Sequence, residues 1–175
     1  ANVARWDIHK NQQLLLEAIS KLKKKELNIF CLLVGSNINY HNKELIKITD
    51  GFNLNKENFL LLDHVYDINY LMQEIDLFVL SSLGEGMPNV IGEAMINGTP
   101  CVSSDVGDCS YVIGNTGWVF ESNNIEQLTH SIVSAYKIRN DKKEWQNKKN
   151  DCFIRISNNF SIKKMIDAYE ILWSK

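Results

Sequence analysis

With 175 residues the chain holds about one domain, so two complete large domains are excluded. Hydrophobic residues at 45% and charged residues at 23% are ordinary for a globular chain, which excludes collagen-like, mucin-like and wholly disordered classes. Nineteen Lys and Arg against twenty-one Asp and Glu give a formal net charge of −2, and so no global basic field to recruit nucleic acid.

Only Arg5, Arg139 and Arg155 are arginine, so an isolated one draws attention. The Lys23-Lys24-Lys25 run fits the solvated end of a helix, with a membrane-facing patch as the lesser reading. Cys31, Cys101, Cys109 and Cys152 form no CxxC pair, which points to reduced, buried thiols rather than metal ligands. The longest apolar run, Ile29 to Val34, is too short to span a bilayer, and residues 1–15 lack a signal-peptide core. The opening Ala1-Asn2-Val3 has the character of a strand already under way, as expected of a domain cut from a longer protein.

Taken in chain order, short apolar runs alternate with segments of helical period. Strands are expected at Val3–Trp6, Ile29–Val34, Phe59–Leu62, Leu77–Leu80, Cys101–Ser103 and Trp118–Phe120. Helices are expected at Asn11–Lys24, His41–Leu54, Ile68–Ile75, Pro88–Asn97 and Ile125–Arg139. Two more fill Lys142–Lys175, broken near Ser157-Asn158-Asn159, with Ser161 able to cap the second. This alternation predicts an α/β fold: a doubly wound parallel sheet of about six strands with helices on both faces, a single Rossmann-like domain over residues 1–175.

In such a sheet ligands bind beyond the carboxyl ends of the strands. The loop after the fourth strand, Ser81 to Pro88, carries Gly84 and Gly86 and feeds directly into a helix. Its first amides are then free to face a phosphate-like anion, although a plain tight turn, with positive φ at the glycines, fits as well. Glu85 in the loop and Glu93 two turns into the helix could accept hydrogen bonds from ligand hydroxyls, with Glu93 as a buried structural acid the alternative. Arg5 and Lys10 beyond the first strand could reach a diphosphate or lie idle on the surface. His64 beside Asp63 fits a backbone-bonded loop histidine better than a catalytic base.

Glu85-Gly86-Met87-Pro88-Asn89-Val90-Ile91-Gly92-Glu93 resembles the Glu-x7-Glu signature of the family 4, or group 1, retaining glycosyltransferases of the GT-B fold. Val3-Ala4-Arg5 with Lys10-Asn11, Val34-Gly35, Ser104 to Asp108 and Asn115 to Val119 are similar to further motifs of that family in the same order. The resemblance implies a donor-binding, C-terminal GT-B domain. Arg5 and Lys10 would neutralise the donor diphosphate without a metal ion or cofactor, and Glu85 would meet the donor sugar. The Gly86, Met87, Asn89 and Val90 amides, with Pro88 fixing the helix start, would hold sugar and phosphate. Glu93 would bind the ribose diol, His64 and Val65 the base, and Gly35, the glycine ending the second strand, would belong to the same nucleotide-sugar site.

The implied partners are a nucleotide sugar, UDP-linked by preference, a glycan or lipid-linked acceptor, and an N-terminal acceptor domain that the chain lacks; nucleic acid is not among them. Without that domain the chain should bind donor but transfer it poorly. The expected process is surface polysaccharide or glycolipid synthesis in the cytoplasm, with a peripheral place at the inner membrane face open to the full-length protein. A non-catalytic module of the same fold, or a fragment of a nucleotide-sugar 2-epimerase, are the alternatives.

Overall fold

The computed structural model describes residues 1–174. Six short parallel strands, β1 (Asn2–Val3), β2 (Cys31–Val34), β3 (Phe59–Leu62), β4 (Phe78–Leu80), β5 (Cys101–Ser104) and β6 (Trp118–Phe120), alternate with helices. The helices are α1 (Gln12–Lys23), α2 (Lys43–Gly51), α3 (Ile68–Glu74), α4 (Asn89–Ile96), α5 (Cys109–Ile113), α6 (Ile125–Arg139), α7 (Lys142–Asn159) and α8 (Ile162–Trp173), and one 3-10 turn covers Ile8–Lys10. Lys175, the end of the expected last helix, lies outside the described residues.

The strands form two ladders, β1-β2-β3 and β4-β5-β6, rather than one unbroken sheet. Their inner edges meet where the Val79 amide donates to Ala1 O at 2.7 Å and the Asn2 side-chain amide donates to Val79 O at 2.8 Å. The resulting order, 3-2-1-4-5-6, reverses direction between β1 and β4, and that reversal opens a crevice at the strands' carboxyl ends. Each face carries its own core. Leu15, Leu16 and Leu22 of α1 and Leu128 and Ile132 of α6 pack with Leu33 and Phe120 on one side. Ile91 and Met95 of α4, Val112 and Ile113 of α5, and Ile156 of α7 pack with Phe78 and Leu80 on the other. These residues recur at helical spacing in the chain, which is why they form helices that cover a sheet.

Short polar side chains start five of the helices: Asn42, Asp67, Asn124, Asp141 and Ser161 each accept from an amide of the following turn. Ser161 takes the Lys164 amide at 3.3 Å, so α7 runs on through Ser157-Asn158-Asn159 and the break falls at Phe160. All four cysteines are free and buried. Asn11, Asn37, Asn53 and Asn123 hold left-handed turns at φ 48 to 64°, a conformation whose cost asparagine lowers, so their positions have a structural reason that composition alone did not reveal. Among the described residues no helix is long and apolar enough to cross a membrane.

Candidate active site

Two of the longer helices break the capping pattern. Among the described helices of eight or more residues, only α1, after Asn11, and α4, after Pro88, begin without a side-chain cap. Both begin at the crevice, the first beyond β1 and the second beyond β4. Among the described residues the Gln12, Gln13, Asn89 and Val90 amides therefore have no acceptor, and two helix dipoles present their positive ends there. Pro88, expected as the first helical residue, sits just outside α4 at φ −79°, so the helix begins one residue later, at Asn89.

Lys10 and Glu85 meet between these helix ends. The Lys10 ammonium donates to Glu85 Oε1 at 2.7 Å, with side-chain exposures of 24% and 12%. Ser82 Oγ donates to the same oxygen at 2.6 Å. The loops that carry the pair are laced together, because the Leu83 amide donates to His9 O at 2.7 Å and Ser81 Oγ donates to the carbonyls of Lys10 and Asn11 at 3.1 and 2.9 Å. From β5, Ser104 Oγ donates to Ser82 O at 2.7 Å. These serine and leucine contacts carried no signal in the sequence beyond hydroxyls at the ends of apolar strands.

Arg5 stands apart from the pair. Its guanidinium donates to Asp7 Oδ2 at 3.1 Å at the mouth of the crevice, and its side chain is 68% exposed. The His9 amide and the Arg5 guanidinium hold the Asp7 carboxyl below its ordinary range, so Asp7 stays ionised and keeps Arg5 oriented. The Gln12 side chain fixes the Arg5 carbonyl at 2.8 Å.

Two glycines set the crevice walls. Gly35, at φ 143°, lies against β1 so closely that a Cβ would fall 2.2 Å from Ala4 O. Gly107, at φ 52°, would place a Cβ 2.2 Å from Glu85 O and 2.3 Å from Gly86 O, while the Asp108 amide donates to Gly86 O at 3.0 Å. Gly84 and Gly86, which would have allowed positive φ, adopt ordinary backbone, with open space where a Cβ would project. Their value is clearance above the loop rather than a special turn.

The remaining expected residues line the rim. Glu93 is exposed, so the reading of it as a buried structural acid is wrong, and its carboxylate is free to accept from a ligand. Asn89 is exposed, Met87 is 55% exposed, and Val90 is half-buried. Beyond β3, Val65 is half-buried and the exposed His64 ring stands edge-on to Tyr66 at 5.2 Å. Seen from this chain the site is a surface. A separate cavity of 480 Å³ lies at the opposite ends of the strands; apolar side chains make up most of its lining, and two of its charged groups, Arg139 and Asp76, pair at 2.8 Å.

The chain is a doubly wound α/β domain with two uncapped helix ends and an ammonium at its switch point, an arrangement whose local field favours an anion. The group 1 glycosyl transferase family model matches residues 1–137, and the chain belongs to that family. It is 34% identical over 120 residues to the UDP-Gal:alpha-D-GlcNAc-diphosphoundecaprenol alpha-1,3-galactosyltransferase of Escherichia coli, a match covering 67% of this chain and 30% of that protein. Among solved structures, a glycosyltransferase from Rickettsia africae superposes with a TM-score of 0.85 at 22% identity, covering 98% of this chain and 46% of that one. Anabaena HepE in complex with UDP gives 0.81 at 21% identity, covering 99% and 48%. The chain thus spans less than half the length of each, and its fold is one Rossmann-like half of GT-B.

Proposed function

We propose that this crevice binds the diphosphate and sugar of a nucleoside-diphosphate sugar, UDP-linked by preference, as the donor half of a retaining hexosyltransferase. The observation that carries this is the Lys10–Glu85 pair at 2.7 Å between the open ends of α1 and α4. An anion there meets unpaired amides and an ammonium, and a neutral sugar hydroxyl meets a carboxylate.

In the proposed reaction the bond from the anomeric carbon to the diphosphate oxygen breaks and the charge left on the diphosphate is the main barrier. Lys10, Arg5 and the amides of Gly86, Met87, Asn89 and Val90 around the start of α4 stabilise that charge, and no metal ion is required. Glu85 accepts from the sugar, Glu93 from the ribose diol, and His64 and Val65 flank the base. The acceptor reads as a glycan or lipid-linked sugar, by analogy with the diphosphoundecaprenol-linked substrate named for the Escherichia coli relative. Work on such acceptors fits the cytoplasm and the inner membrane face.

An N-terminal acceptor domain completes the proposed enzyme. A ligand on this chain alone would remain widely exposed, whereas binding sites commonly enclose most of a ligand. The apolar side chains of α8 support the same reading, with Ile162, Ile171, Leu172 and Trp173 between 63% and 81% exposed. The isolated chain is therefore a binder with little or no transfer activity. Thermal unfolding against a panel of UDP- and GDP-sugars tests the reading. A concentration-dependent rise in melting temperature is expected with UDP-sugars, and no rise with any member would refute it.

A further inference from the structure

Glu85 Oε1 is fully engaged. It accepts from Lys10 at 2.7 Å and from Ser82 at 2.6 Å. Its other oxygen, Oε2, accepts from no described residue. Among the described residues the one buried side-chain polar atom without a partner is Asn2 Oδ1, so Oε2 of the 12%-exposed Glu85 side chain is the oxygen left accessible. The carboxylate thus has one oxygen fixed and one free.

Ser82 differs from its neighbour in where its hydroxyl goes. Ser81 donates to two backbone carbonyls and ties loops together. Ser82, fully buried, spends its single hydroxyl proton on a side chain. Its own backbone is held from β5 through Ser104 Oγ, at 2.7 Å, and from the β6 side through Ser122 Oγ, at 3.5 Å. A flexible lysine can follow a carboxylate as it rotates, but a buried hydroxyl anchored from the sheet cannot. Of the two donors on Oε1, Ser82 is the one anchored from the sheet.

We infer that Ser82 is a positioning residue for donor specificity: it fixes the Glu85 carboxylate so that Oε2 selects a sugar hydroxyl by direction. The inference rests on the proposal that the crevice binds a nucleotide sugar. It assigns the serine no contact with the nucleotide.

The test compares UDP, UDP-glucose and UDP-galactose by isothermal titration on the full chain, wild type against Ser82→Ala. The quantity read is the ratio of the UDP dissociation constant to that of the tighter UDP-sugar. The variant should bind UDP within about twofold of wild type while that ratio falls about tenfold, the scale of one lost bond to a charged group. Ser82→Thr should restore most of the ratio, and Ser82→Ala placed on Glu85→Ala should change nothing further, since the group it orients is gone. If Ser82→Ala does not fold, Ser82→Cys, near in size but a weak donor, is read the same way.

An unchanged ratio overturns the inference, as does a parallel loss for UDP and UDP-sugar, an effect that persists in the Glu85→Ala background, or a wild type indifferent to the sugar. A wild type that binds no UDP at all refutes the nucleotide-sugar reading itself, and so separates the two failures.

Discussion

Gly107 lies so close to Glu85 that a Cβ at that position would stand 2.2 Å from the Glu85 carbonyl oxygen. The contact joins the loop after β5 to the loop after β4 and leaves no room for a side chain. Its φ of 52° adds a backbone cost for any other residue. Gly107→Ala should therefore cost about 2 kcal/mol or more of stability and displace Glu85 with it.

Gly86→Ala makes the contrasting case, since nothing lies within 4 Å of its Cβ and its φ is ordinary. It should leave urea unfolding within about 0.5 kcal/mol of wild type. If a ligand occupies that open space, UDP-sugar affinity should still fall. Equal stability losses for the two variants would contradict the packing described here.

Arg155 closes the end of α5, donating to Val112 O at 2.7 Å and to Tyr111 O, with its guanidinium beside the Phe160 ring. Gly114, at φ 56°, makes room for it, since a Cβ there would fall 2.4 Å from Arg155 Cζ. Arg155→Ala should lower the unfolding free energy by about 1–3 kcal/mol, because two carbonyls lose charged donors. Arg155→Lys should recover only part of that, having no planar fork to reach both. Denaturant unfolding of the three proteins checks this, and a fully rescued lysine variant would count against the fork.

Burial pushes the Cys31 thiol from its ordinary 9.0 up to about 11, and Cys101 is driven well above 9.0 for the same reason. Between those values the unfolded chain gives up protons that the folded chain keeps. Stability should be undiminished below pH 9 and fall as pH climbs towards 11. Cys31→Val should flatten that decline in unfolding free energy. In the native protein at pH 8 all four buried thiols should resist dithionitrobenzoate and react once denaturant is added.

The strands were legible because four-residue apolar runs such as Phe59–Leu62 sit between turn residues, and the candidate site could be drawn up because Glu85 and Lys10 follow strands in the chain, with Glu93 two turns into the next helix. Helix α5 was not, since Cys109–Ile113 is too short to show a period. Nor was the role of Gly107, whose partner Glu85 is brought to it only by the pairing of β4 with β5. Ser82 escaped notice because a serine after a strand looks like any turn residue until the carboxylate it meets is in place. Sequence patterns report local period and punctuation; contacts between loops depend on topology.

Lys10 and the open ends of α1 and α4 form the proposed diphosphate site, and isothermal titration of UDP into the wild-type chain and into Lys10→Met tests it. Saturable binding by wild type and a loss of about tenfold or more in the variant, with the fold intact, are expected, because one charged donor to the diphosphate is removed. No binding by wild type, or equal affinity in both proteins, would contradict it.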